Sequence, residues 1–284
     1  MVDLHTHSAA SDGTLSPKEL VAYAAERNLS AIAVTDHDTI AGVHEAVETG
    51  RRLGVQVIPG IELEVEYPRG VFHMLGLGLK QFSAEGRHTI ARLQEFRTER
   101  NLRMVAAARK AGIPLEYHEL TELAGEAIVG RPHFARLLVR KQIVRSEQDA
   151  FDRYLADGQR LHVKRERLSP AVCIRLIHEA GGTAVLAHPR TLLLTWTKLE
   201  QRLRDWKELG LDGVEAYHAN APLELAQRFE AVAEKLGLLV TAGSDFHGPQ
   251  RPDRRLGFAS GGMPIPDAFA EPFLNGSQLA GSQQ

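Results

Sequence analysis

His5 and His7 stand two residues apart in Asp3-Leu4-His5-Thr6-His7, at the end of a stretch that reads as a strand. Side chains two apart on a strand leave the same face, so both imidazoles are presented together, an arrangement suited to holding a metal ion. Asp12 follows in the same loop. Histidines and carboxylates recur at later strand ends: Asp36-His37-Asp38, Glu62 after Pro59-Gly60-Ile61, His188-Pro189, Glu215 with His218, and Ser244-Asp245-Phe246-His247. Each is ordinary alone, since a single His-x-His or Asp-x-His arises at a strand end by accident. Their joint placement where strands give way to loops, the rim on which β/α folds assemble active sites, points to a metal centre. Nitrogen and oxygen donors without thiolate favour Mn²⁺, Fe or Zn²⁺ over Ca²⁺ or a structural zinc, and the choice among the three stays open.

The elements that must position these groups alternate. Met1–Leu4, Ala31–Thr35, Val55–Ile58, Val71–Leu79, Thr183–Ala187, Gly213–Tyr217 and Leu238–Ala242 read as strands, mostly continuous apolar runs of the kind buried on both faces. Ser16-Pro17-Lys18-Glu19 is a capping box that opens a helix to about Asn28. Further helices are expected at Thr39–Leu53, Ser169–Ala180, Thr197–Leu209 and Pro222–Leu236, three of them running into Gly54, Gly181 and Gly210. The pattern predicts an α/β fold, a parallel barrel of about seven β/α units, with a doubly wound open sheet as the alternative. The rhythm breaks between Ser83 and Leu168, where four helices are expected: Ser83–Lys110, Tyr117–Leu123, Pro132–Lys141 and Ser146–Leu155. The organisation expected is therefore a barrel from residues 1–82 and 169–274, a small inserted helical subdomain at 83–168, and a flexible tail at 275–284.

Composition narrows the classes. The 284 residues carry 34 Lys and Arg against 36 Asp and Glu, a formal charge of −2, with 43% hydrophobic residues and one cysteine, Cys173. A disordered chain, a disulfide scaffold and a general nucleic-acid coat are excluded. No apolar run approaches the ~20 residues needed to cross a bilayer. Met1 is followed by no basic-then-apolar leader, so a cytoplasmic location without membrane contact is expected.

Asp3-Leu4-His5-Thr6-His7-Ser8, Thr35-Asp36-His37-Asp38, Pro59-Gly60-Ile61-Glu62, Ala187-His188-Pro189 and Gly243-Ser244-Asp245-Phe246-His247 occur in the order of the motifs of the polymerase-and-histidinol-phosphatase (PHP) family, which this chain resembles over residues 3 to 247. The resemblance implies a distorted (β/α)7 barrel holding two or three divalent metal ions, most simply Mn²⁺, and hydrolysis of phosphate esters by metal-activated hydroxide. It also implies nine ligands. His5 and His7 would hold one ion with Glu62 and Asp245; Glu62 would bridge to a second held by His73 and His133; Asp12, His37 and His247 would hold a third. Histidinol-phosphate phosphatases of the family commonly carry histidine where Asp12 stands, which bears on the third ion. Asp36 and Asp38 are expected to orient imidazoles or to cap the next helix. His188 and Asp245 are the catalytic candidates, and His188, His218 and Asn220 are candidate phosphate contacts at the rim. His44, His88, His118, His162 and His178 are expected to be surface residues.

Charge is unevenly divided. Ser83–Leu168 holds 17 basic and 12 acidic residues, so the insert is positive while the remainder is negative. A basic cap over a metal rim would draw an anion with more than one phosphate. Arg131 and Arg136 flank His133, Lys164-Arg165-Glu166-Arg167 closes the insert, and guanidinium forks suit phosphate. Members of this size with a helical insert resemble phosphatases of 3′,5′-nucleoside bisphosphates and trimmers of short RNA 5′ ends. The expected reaction is removal of the 3′-phosphate from a nucleotide that keeps its 5′-phosphate, as in adenosine 3′,5′-bisphosphate to AMP, with no obligate protein partner. The competing readings are a histidinol-phosphate phosphatase, a non-catalytic module that binds metal or a partner protein, and an amidohydrolase. The last usually recruits a modified lysine, and none stands suitably at a strand end.

Overall fold

One seven-stranded sheet, with the loops at its strand ends, carries every candidate ligand of the rim except His133. In chain order the elements are β1 (Val2–Thr6), α1 (Pro17–Glu26), β2 (Ala31–Val34), α2 (Val43–Leu53), β3 (Gln56–Glu64), β4 (His73–Leu77), α3 (Ala84–Lys110), α4 (Tyr117–Ala124), α5 (Arg131–Arg140), α6 (Glu147–Ala150) continuing as a π turn over Phe151–Leu155, α7 (Pro170–Glu179), β5 (Thr183–Leu186), α8 (Trp196–Glu208), β6 (Gly213–His218), α9 (Leu223–Lys235) and β7 (Leu239–Gly243). The computed structural model describes residues 1–68, 70–125, 128–164 and 166–274. The tail 275–284, expected to be flexible, and Arg165 of the insert lie outside the described residues.

The strands are neighbours in sequence order from β1 to β7. A parallel bridge between Thr6 and Phe246, with His7 N donating to Phe246 O at 2.9 Å, brings the two edges together. This is the distorted seven-stranded barrel, not the open doubly wound sheet. The expectation of parallel strands throughout fails at β4, which runs antiparallel to both β3 and β5. The cause is connection length: residues 65–72 between β3 and β4 are too few for a parallel return, which takes about a dozen residues or more.

β3 is also longer than its apolar run suggested. Gln56–Pro59 pair with β2, and Gly60–Glu64 pair with β4. The strand changes partner at Gly60, where a Cβ would come within 2.7 Å of Thr35 Cγ2 and 3.0 Å of Val34 O. Pro59-Gly60 therefore lies inside a strand, and Glu62 is carried on its antiparallel half.

The helices follow local chemistry. Ser16 caps α1 by accepting from Glu19 N, and Glu19 returns the bond to Ser16 N at 2.8 Å. α2 starts at Val43 instead of Thr39, with Gly42 at its N-cap and no side-chain cap, and ends on Gly54 at φ 74°. Leu4, Ala33, Ile61, Leu75, Leu77, Val185, Val214 and Ala242 are buried in the main apolar cluster, each larger side chain contributing about 1.5–3 kcal/mol. Met104, Val105, Leu115, Phe134, Leu138, Leu155 and Leu161 form a separate cluster among α3, α5 and the segment that follows α6. α3 spans both, because Ile90 and Leu93 near its start pack with the barrel. No helix among the described residues is long and apolar enough to cross a membrane.

Candidate metal centre

Glu62 is the hub. It is 1% exposed, and five histidines face its two oxygens. Oε2 lies 3.3 Å from His5 Nε2, 3.2 Å from His7 Nε2 and 3.0 Å from His37 Nδ1. Oε1 lies 2.8 Å from His73 Nδ1 and 3.0 Å from His188 Nε2. Asp245, at φ 56° just beyond β7, turns Oδ1 toward the same pair, 3.4 Å from His5 Nε2 and 3.1 Å from His7 Nε2. A second group gathers at Asp12: His247 Nε2 is 3.3 Å from Oδ1, and His7 Nδ1 and His37 Nε2 are each 4.0 Å from the carboxylate.

Four sets of donor atoms each lie within 4.8 Å of one another: His5, His7, Glu62 and Asp245; His7, Asp12, His37 and His247; His37, Glu62 and His73; and His5, Glu215 and His218. Sharing of His5, His7, His37 and Glu62 between sets makes this one continuous centre.

The protonation pattern tests whether cations fit. His5 Nδ1 is 2.9 Å from Glu215 Oε1 and donates to it, which leaves Nε2 with a lone pair toward Glu62 and Asp245. His247 Nδ1 donates to the carbonyl of Asp245 at 2.7 Å, which leaves its Nε2 facing Asp12. Imidazole and carboxylate lone pairs thus point at each other across about 3 Å. His5 Nε2, both ring nitrogens of His7, His37 Nδ1 and Glu62 Oε2 are buried without a hydrogen-bond partner among the described residues. Native interiors rarely leave such atoms unpaired, and bound cations would take up the carboxylate oxygen and one nitrogen of each ring.

Charge leads to the same result. Burial opposes a positive His7, yet the carboxylates of Asp245 and Glu62 beside it outweigh that and lift the imidazole to about 10. Burial also works against an ionised Glu62, but His37, His73 and His5 hold it well below the usual carboxylate range. Asp12, beside His247 and His37, is held low against the same opposition. The cluster demands positive charge, and divalent ions supply it while releasing protons.

The family model for the PHP domain matches residues 3–162. The chain belongs to the PHP domain family. Among similar proteins, a 5′-3′ exoribonuclease of Haemophilus influenzae is 35% identical over 87% of this chain and 90% of its own length. A 3′,5′-nucleoside bisphosphate phosphatase of Chromobacterium violaceum is 32% identical over 93% of both chains. The structure of an amidohydrolase from Chromobacterium violaceum with bound sulfate and no metal superposes with a TM-score of 0.85 at 31% identity, covering 94% of this chain and 92% of that one.

Within this PHP barrel, eight of the nine ligand candidates converge: His5, His7, Asp12, His37, Glu62, His73, Asp245 and His247. His133 stands apart on α5, where its Nδ1 accepts from Gly130 N at 2.9 Å and its ring belongs to none of the four sets. The neutral ring then offers Nε2–H, a donor and not a lone pair. His188 occupies the place beside Glu62 and His73, its ring centroid 5.0 Å from that of His73. His218 resembles His133: Nδ1 accepts from Asn220 N at 3.0 Å, so Nε2 carries the proton, 3.4 Å from Asp245 Oδ2.

Asp36 and Asp38 do not cap α2. Asp36 instead accepts from Ser8 N, Ser8 Oγ and Ser11 Oγ, at 2.8, 2.6 and 2.6 Å, and so holds the loop that carries Asp12. Arg136 Nη2 donates to Asp12 O at 3.2 Å, and Arg131 lies 3.9 Å from Asp157. Of the histidines expected at the surface, His178 is exposed and pairs with Asp212 at 2.7 Å, whereas His162 is largely covered, 3.0 Å from Asp157. Sequence reasoning missed the orienting role of Glu215 and also Arg254, which pairs with Asp245 Oδ2. A carboxylate within the apolar strand Gly213-Val-Glu-Ala-Tyr was the available signal for Glu215; for Arg254, in a loop rich in charge, there was none.

Proposed function

We propose that this chain is a metal-dependent phosphomonoesterase that removes the 3′-phosphate of 3′,5′-nucleoside bisphosphates, with short 5′-phosphorylated RNA as a second substrate. The observation that carries the reading is the set of opposed lone pairs around Glu62 and Asp245, which bound cations would reconcile. The names of the two relatives support the substrate class. His5, His7, Glu62 and Asp245 would hold one ion; Asp12, His37 and His247 another; Glu62 and His73, completed by His188 in place of His133, a third. Nitrogen and oxygen donors suit Mn²⁺, Fe and Zn²⁺, and Mn²⁺ is the ion proposed. Bound there, divalent ions lower the pKa of water and neutralise phosphate oxygens.

The remaining groups act on the substrate. His218 Nε2–H is buried and aimed at Asp245 Oδ2, so it can donate to a phosphate oxygen or to the leaving alkoxide. His188 does not suit proton donation, because burial, only partly opposed by Glu62, pushes its imidazole down to about 4. Asp245 keeps Oδ2 as the acceptor in the proton path to His218. His133 Nε2–H, Arg131 and Arg136 come from the helical insert, residues 83–168, read here as a cap over the rim, with Arg136 tied to the Asp12 loop. The positive charge of the two arginines suits the second, non-reacting phosphate. Such a substrate belongs to nucleotide turnover, and a cytoplasmic location is proposed with it; the cationic insert disfavours histidinol phosphate, whose ammonium it would repel.

A phosphate-release panel with Mn²⁺ tests this, comparing a 3′,5′-bisphosphonucleoside, short 5′-phosphorylated RNA and histidinol phosphate. Preference for the first is expected; preference for histidinol phosphate would overturn the substrate assignment.

A further inference from the structure

We infer that Arg97, on α3 of the insert, is a positioning residue that sets the spacing of His37 and Glu62 and thereby couples the insert to ion binding. The inference rests on the metal reading of those two residues.

Arg97 is 7% exposed, an unusual depth for a guanidinium on a solvent-facing helix. Its Nε donates to Asp38 Oδ2 at 2.7 Å, and its Nη2 lies 3.9 Å from Glu64 Oε2. One turn earlier on the same helix, Gln94 Nε2 donates to Asp38 O at 3.3 Å. Arg167, where the insert rejoins the barrel, pairs with Glu64 Oε1 at 2.5 Å. Asp38 and Glu64 are themselves buried, so cations supplied by the insert balance two carboxylates embedded in the barrel wall.

Those carboxylates bracket the ion site. Asp38 follows His37, and Glu64 lies two residues beyond Glu62 on the same strand face. Asp38 N donates to Glu62 O at 2.9 Å, Glu62 N donates to Asp36 O at 3.2 Å, and Glu64 N donates to Asp38 Oδ1 at 3.3 Å. The Asp38 backbone is left-handed, φ 51°, a conformation that a non-glycine residue keeps only when its surroundings hold it there. Arg97 and Gln94 grip both the side chain and the carbonyl of that residue. Loss of Arg97 frees the Asp38 turn, and with it the 3.0 Å approach of His37 Nδ1 to Glu62 Oε2.

A merely structural ion pair would change stability alone, whereas a positioning role changes ion affinity. The test is Mn²⁺ titration of the chelator-stripped full chain, followed by the loss of the free-ion paramagnetic signal, for wild type, Arg97→Met, Arg97→Lys and His37→Ala, with thermal unfolding of each. Arg97→Met is expected to bind Mn²⁺ about 10-fold more weakly in the His37-containing groups, the scale of second-layer effects on metal sites, with Arg97→Lys between it and wild type. If Arg97→Met is folded and its isotherm superimposes on wild type, the inference is wrong. If wild type and His37→Ala bind alike, the metal reading of His37 fails, and this inference with it. Should Arg97→Met fail to fold, Gln94→Ala removes only the bond to the Asp38 carbonyl; weaker Mn²⁺ binding supports the inference, and an unchanged isotherm overturns it.

Discussion

His188 Nε2 stands 3.0 Å from Glu62 Oε1, and in the neutral ring both atoms are acceptors. Thr191 Oγ1 gives its proton to Val71 O at 2.7 Å and accepts from His188 Nδ1 at 3.0 Å, which leaves Nε2 without hydrogen. A ring held neutral by burial cannot fill the gap with a proton near neutral pH. His188→Ala is therefore expected to lose bound metal, and His133→Ala to keep its metal and show a higher KM for phosphate substrates. Elemental analysis of both purified variants checks this; metal lost from His133→Ala alone would reverse the assignment.

Glu215 accepts from His5 Nδ1 through one oxygen and from His188 N through the other, at 2.9 and 2.8 Å. In Glu215→Gln the amide NH₂ must face one of those N–H groups, so His5 or the His188 turn has to shift. Metal affinity is expected to fall about 10- to 100-fold with the fold retained, read by Mn²⁺ binding beside a circular dichroism melt. Wild-type affinity would show that Glu215 does not orient His5.

Gly243 sits where β7 passes β1. A Cβ there would stand 2.4 Å from the Cβ of His5 and 2.6 Å from Glu215 Oε1. Gly243→Ala is expected to cost about 1–3 kcal/mol, the scale of overpacking in a core, and to cut turnover further than that loss explains, because the atoms displaced belong to the centre. Urea unfolding with turnover under folded conditions separates the two effects; a destabilised variant with full turnover would place His5 outside the chemistry.

How legible this was depends on range in the chain. The strand-end histidines were legible because each stands at or just beyond the end of a short apolar run, and β1, β2, β5, β6 and β7 fall close to where such runs place them. The reversal of β4 was not, since direction follows from connection length and not from the composition of Val71–Leu79. That His188 and not His133 faces Glu62 was hidden for a related reason. Which histidine reaches Glu62 is decided by which strand lies beside β4, and that neighbour is β5, whose end carries His188. Arg97 and Arg254 were invisible because an arginine on a charged helix or loop looks the same whether it faces solvent or a buried carboxylate.

Arg131 opens α5 and has only Asp157, at 3.9 Å, as a partner among the described residues. If the insert reads the non-reacting phosphate, Arg131→Ala should reduce kcat/KM for a 3′,5′-bisphosphonucleoside by about 10-fold or more, the scale of a lost charge-assisted contact, and spare a simple aryl phosphate. Equal losses on the two substrates would remove Arg131 from recognition.

The central claim is that the lone pairs gathered on Glu62, Asp245 and Asp12 exist to hold divalent ions on which hydrolysis depends. Phosphate release from a 3′,5′-bisphosphonucleoside, followed as Mn²⁺ is restored to chelator-stripped protein, tests it most directly. The account predicts no release without metal and recovery that saturates as Mn²⁺ fills the centre, with Glu62→Gln silent throughout. Full release from the stripped protein, or from Glu62→Gln, would contradict it.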